Sequence, residues 1–128
     1  MNHFLAVALG GAFGSVARYW LSTSLNKQAL ASQWHWLPLG TLSVNVIGSF
    51  LIGAAWAYMQ LRNQNELFRL LVMVGLLGGF TTFSTFSLET LQLLNAGEWA
   101  RAGLNVLLSV FTCLAAAAMG MALGRFIL

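Results

Sequence analysis

The residues best equipped for chemistry lie in one stretch, Gly75-Leu76-Leu77-Gly78-Gly79-Phe80-Thr81-Thr82-Phe83-Ser84-Thr85-Phe86-Ser87-Leu88-Glu89, where two adjacent glycines meet five hydroxyl side chains, three phenylalanines and a carboxylate. A glycine pair followed by β-branched and hydroxyl residues sustains a helix poorly. At membrane depth a break there would expose carbonyls and amides at the ends of two half-helices, a ready site for a small ion. The alternative is an unbroken helix whose glycines allow a close crossing and whose hydroxyls bond back to the carbonyl four residues earlier. So many hydroxyls beside a glycine pair favour the break.

Phe80, Phe83 and Phe86 recur every three residues, close to one helical face. Such a stripe serves packing or lipid contact. Alternatively, because a ring edge carries partial positive charge, phenylalanines presented edge-on can line the path of a small anion. Polar residues elsewhere carry the same two readings, glue between helices or pathway lining. They are Asn45, with Gly48 and Ser49 on its face, and an i, i+4, i+7 stripe of Asn105, Ser109 and Thr112 with Cys113 alongside. Amide and hydroxyl donors without fixed charge suit an anion that must be bound and then released. Glu89 reads as a carboxylate near the interface. Arg18 either snorkels to the surface or raises the local anion concentration at a vestibule. No catalytic constellation is present. The chain has no Asp, and His3 and His35 have no partners at ligand spacing, so hydrolytic, redox and metal-enzyme readings lack residues.

These residues need a scaffold, and composition points to a membrane. The chain has 128 residues, 59% of them hydrophobic and 7% charged, with a mean hydropathy of +0.77. Soluble domains carry about 25% charged residues. The six basic and three acidic side chains are scattered, which argues against nucleic-acid binding. The segment Met1, Asn2, His3 lacks a basic stretch and a small-residue cleavage site, so it reads as the start of a first span rather than a cleaved signal. A hydrocarbon core of about 30 Å needs about 20 helical residues. Four spans qualify, at about 3–21, 39–61, 67–94 and 102–127, together forming a single transmembrane domain. A polar stretch from Ser22 to His35 follows the first. Trp34, Trp36 and Pro38 form an interfacial belt and helix start. A short polar turn of Arg62, Asn63, Gln64, Asn65 and Glu66 joins the second to the third.

Gly10 and Gly14, Gly75 and Gly79, and Gly120 and Gly124 are each spaced to share a face, as in ordinary close packing of membrane helices. Charge, by contrast, is unusually even. Four spans put Arg62, Arg69 and Arg125 on one side and Arg18, Lys27 and Arg101 on the other. The positive-inside rule then has almost nothing to act on. Either a weak bias suffices or the chain inserts both ways, and opposed copies would form an inverted pair about an axis in the membrane plane.

The segments Gly10-Gly11-Ala12-Phe13-Gly14-Ser15-Val16-Ala17-Arg18-Tyr19, Gly40-Thr41-Leu42-Ser43-Val44-Asn45-Val46-Ile47-Gly48 and Gly78 to Glu89 strongly resemble the Fluc (CrcB) fluoride channels, and the likeness covers all four spans. The resemblance implies an all-α membrane protein: an antiparallel, dual-topology homodimer with a broken third helix and two fluoride pores. It also implies a structural sodium ion at the dimer centre, held by the backbone carbonyls of Gly78 and Thr81. Phe83 and Phe86 would line the pore with Asn45, Glu89 and the hydroxyls of Ser84 and Thr85. Asn105, Ser109 and Thr112 or Cys113 would form a polar track, and Arg18 would stand at the vestibule. Phe80 is expected to pack. The implied role is passive fluoride export across a microbial inner membrane, with no enzymatic activity. A rival is a dual-topology, proton-coupled exporter of the small multidrug resistance type, but that needs a carboxylate in the first span, where this chain has none. A non-conducting scaffold would leave the hydroxyl-rich break unexplained.

Overall fold

The computed structural model describes every residue except Met1, Trp34, Gln64 and Leu128. The expected interfacial Trp34 and the Gln64 of the polar turn therefore lie outside the described residues. Among the described residues four stretches are long and apolar enough to cross a membrane: His3–Ala29, Leu39–Leu61, Glu66–Asn95 and Trp99–Ile127.

Helix α1 (His3–Ala29) starts where the Asn2 side chain accepts the Phe4 amide. It runs on past residue 21 into the polar stretch. The hydroxyls of Thr23 and Ser24 bond back to the carbonyls of Tyr19 and Trp20, so these polar side chains are satisfied within the helix. Helix α2 (Leu39–Leu61) follows Pro38 and ends at a turn where Asn63 takes φ 46°. Asn65 then caps the next helix by accepting the Phe68 amide at 3.1 Å. Helix α3 (66–80) opens with an α-turn, Glu66–Phe68, becomes a π-helix over Arg69–Leu77, and closes with an α-turn, Gly78–Phe80. Helix α4 (Phe83–Asn95) completes the third span, and a turn with Gly97 at φ +77° leads to α5 (Trp99–Ile127).

The span is interrupted at Thr81 (φ −87°, ψ 160°) and Thr82 (φ −151°, ψ 114°), both extended. Gly78 and Gly79 themselves remain helical, and the break begins two residues beyond Gly79, after Phe80. Threonine accepts extended backbone readily, and the Thr82 side chain caps α4 by accepting the Thr85 amide. One expectation needs correction. Because the helix stops between Phe80 and Phe83, the three phenylalanines do not form one stripe. Phe80 is buried at the end of α3, whereas Phe83 and Phe86 belong to α4, with ring centroids 5.4 Å apart and tilted by 49°.

Two close helix pairs make the frame. A Cβ on Gly10 or Gly14 of α1 would collide with the carbonyls of Leu71 or Leu76, so α1 and α3 touch backbone to backbone. A Cβ on Gly53 of α2 would meet the Ala117 carbonyl, and one on Gly120 of α5 the Phe50 carbonyl. Such approach lets dispersion and weak polar contacts accumulate where lipid supplies no hydrophobic drive. Helix α4 is different, having no buried residue at all.

Candidate functional site

The break is held by a side chain from α2. Asn45 Nδ2 donates to the Thr82 carbonyl at 3.0 Å, and its Oδ1 accepts the Thr82 amide at 2.8 Å. This bidentate clamp has a second effect. In a continuous helix the Thr82 amide would bond to the carbonyl of Gly78, four residues back. It goes to Asn45 instead, and Gly78 loses that helical donor. Gly48, one turn along α2, leaves room for the break, since a Cβ there would strike Thr81 Cγ2. Buried Thr82 adds a hydroxyl cluster, with its Oγ1 donating to Thr85 Oγ1 at 2.9 Å and lying 3.3 Å from Ser84 Oγ.

Three cavities surround this region. One of about 410 Å³ is lined by Asn45, Ser49, Phe83, Phe86, Ser109 and Cys113. It gathers the expected α2 polar face, both α4 phenylalanines and part of the α5 track beside the break. A second, of about 300 Å³, is lined by Arg18, Ser15, Thr41, Thr82, Ser84 and Thr85. Here Arg18 Nη1 donates to the Thr81 carbonyl at 3.3 Å. A third, of about 410 Å³ near the first loop, carries Glu89 with Asn26, His35, Trp36 and Gln92.

The expected pore residues therefore divide. Ser84 and Thr85 face the Arg18 cavity rather than the Phe83 cavity. Glu89 stands at the loop cavity, where Thr41 donates to its Oε1 at 2.7 Å and its buried Oε2 has no partner. Asn105 is 0% exposed and lines none of the three cavities. Its Nδ2 donates to Thr90 Oγ1 at 2.9 Å, and Thr90 in turn donates to the Phe86 carbonyl. Thr112 also stays out of the cavities, its hydroxyl donating to the Leu108 carbonyl of its own helix. Cys113, not Thr112, reaches the cavity with Ser109.

Three side chains that make hydrogen bonds at these sites were not singled out from sequence: Thr41, Thr82 and Thr90. Thr41 had a signal, lying four residues before Asn45 and so on the same face of α2. Thr82 had one too, since threonine three residues before Thr85 fits a helix cap. Thr90 lacked any, because its partner comes from α5. Among the described residues no three His, Cys, Asp or Glu side chains converge. Any cation at the break would rest on backbone oxygens, and Gly78 and Thr81 supply two suited to a hard ion.

Paired apolar helices around an interrupted span, with amides, hydroxyls and one guanidinium gathered at the interruption, define a small membrane protein of the broken-helix class in which half-helix ends meet ions. The chain belongs to the CrcB family: the family described as "CrcB-like protein, Camphor Resistance (CrcB)" matches residues 5–121. It is 49% identical over 126 residues to a protein of Magnetococcus marinus named fluoride-specific ion channel FluC, covering 94% of this chain and 96% of that protein. Proteins of the same name from Shewanella oneidensis and Shewanella baltica are each 49% identical over 114 residues, 89% of either chain.

Proposed function

We propose that the chain is a fluoride-selective channel giving passive fluoride export across the cell inner membrane, as an antiparallel dual-topology homodimer with two pores, and not an enzyme. The observation that carries this is the interruption at Thr81–Thr82, where the N-terminal end of α4 opens beside a cavity holding Asn45, Phe83, Phe86 and Ser109. Donors and ring edges there attract an anion, and neutral groups let it leave. Family membership speaks against the proton-coupled exporter.

The dimer reading rests on what one copy leaves open. Phe83 is 77% exposed, and Ser84, Thr85 and Gly78 are exposed as well. In hydrocarbon, hydroxyls and free backbone groups facing lipid cost several kcal/mol each. A second inverted copy against this face would cover them, and the even distribution of basic residues permits it. The carbonyls of Gly78 and Thr81 from both copies would then hold a structural sodium ion, Thr81 through the lone pair that Arg18 leaves free. Asn45 prepares this site by drawing the Thr82 amide away from Gly78.

Fluoride efflux from liposomes, with chloride as the control anion, tests the proposal. The wild-type chain should release fluoride and retain chloride. Phe83→Ile and Phe86→Ile should cut flux at least tenfold while the dimer survives on a sizing column. Equal flux of both anions, or none of either, overturns the reading.

A further inference from the structure

We infer that Arg18 sets the charge of the cation accepted at the break, admitting monovalent ions and excluding divalent ones. The inference rests on the sodium reading above. Its basis is that Arg18 donates to the same Thr81 carbonyl that would face the ion, at 3.3 Å.

Among the described residues no carboxylate neutralises Arg18. The sequence holds three Glu and no Asp. Glu66 pairs with Arg69 at 2.6 Å and Glu98 with Arg101 at 2.9 Å. Glu89 accepts from Thr41, and among the described residues Arg18 makes no ion pair. A guanidinium cannot shed its proton under these conditions. Each copy therefore brings a full, half-buried positive charge to the back of one carbonyl oxygen.

A carbonyl oxygen has two lone pairs. The guanidinium takes one and fixes the direction of the other, which orients the oxygen toward an ion. The same guanidinium repels that ion through the oxygen. Dehydration cost rises with the square of ionic charge, whereas the pull of the oxygens, which two Arg18 residues weaken, rises only linearly. Weakened oxygens therefore still hold a monovalent ion but not a divalent one. Orientation therefore favours binding, and repulsion decides the valence.

The test uses the full chain as the purified dimer, with sodium or calcium titrated against a large organic cation and dimer retention on heating as the readout. The wild-type dimer should be protected saturably by sodium and not by calcium. In Arg18→Gln, which removes the charge and keeps an amide donor, sodium should act at concentrations about tenfold lower or less, and calcium should now protect. Arg18→Lys keeps the charge and should still refuse calcium. An unshifted sodium midpoint in Arg18→Gln with calcium still inert overturns this inference and leaves the sodium site standing. Calcium protection of Arg18→Lys overturns it as well, and serves if Arg18→Gln does not assemble. A wild-type dimer indifferent to sodium removes the site and this inference together.

Discussion

The two halves of the third span have opposite designs. The first half, α3, presses its backbone against α1 through Gly10, Gly14 and Gly75, and buries Leu77 and Phe80. The second half, α4, buries none of its residues, although it carries Phe83, Phe86, Glu89 and the hydroxyl cluster. One half is finished within a single copy, and the other is left open. The contrast teaches that the break does more than bend a helix. It separates a structural half from a working half and fixes their junction with Asn45.

The largest effect should come from forcing the finished half apart. A side chain at Gly14 meets the carbonyl of Leu76, a backbone atom that cannot swing aside. Gly14→Val should therefore abolish assembly, read as loss of the dimer peak after extraction. Overpacking in a tight core costs about 1–3 kcal/mol or more, and a backbone contact leaves little room to relax. A normal dimer in this variant would mean that α1 and α3 are less committed than their glycines imply.

Next comes the junction. In Asn45→Asp the side chain no longer donates to the Thr82 carbonyl, and a carboxylate is placed beside the anion's cavity. Fluoride efflux should fall by at least tenfold, because losing a buried hydrogen-bond partner costs about 1–3 kcal/mol and the added charge repels the ion. If efflux stays normal, the clamp is dispensable and the two halves hold their angle unaided.

The open half makes a prediction about insertion. If α4 is covered by an inverted copy, a C-terminal tag should be found on both sides of the membrane. Two Lys residues added beside Asn63 should bias insertion to one side and lower activity severalfold for want of inverted partners. A tag confined to one side with full wild-type activity would mean that α4 is covered in some other way.

Most of the frame was legible in the sequence, because span length and glycine spacing act locally along the chain. The break was legible to within a few residues. Its placement at Thr81 and Thr82 was hidden, since glycine propensity points to Gly78 and Gly79, whereas the clamp from Asn45 arises only in three dimensions. The same limit applied to roles. Asn45 was read as a pore donor, and its amide also engages both backbone groups of Thr82, a contact that spacing alone does not show. Asn105 was read as part of a track, yet it is sealed against Thr90. Periodicity shows which residues share a face but not which neighbour meets that face.

The smallest predicted effect sharpens that point on α5. Asn105, Ser109 and Thr112 share a stripe by spacing, but the structure assigns them unequal surroundings. Ser109 lines the cavity with Phe83 and Phe86, whereas the Thr112 hydroxyl is spent on the Leu108 carbonyl one turn back. That carbonyl also receives the ordinary helical bond, so losing the hydroxyl leaves no backbone group unpaired. Valine matches threonine in shape and is well tolerated within a membrane helix. Thr112→Val should therefore change fluoride efflux by less than about twofold, consistent with the near-neutral cost of a self-satisfied hydroxyl. Ser109→Ala removes a donor that faces the cavity and should reduce efflux more. If Thr112→Val proves the more damaging, the track follows the stripe rather than the cavity wall, and the division of α5 drawn from its hydrogen bonds is wrong.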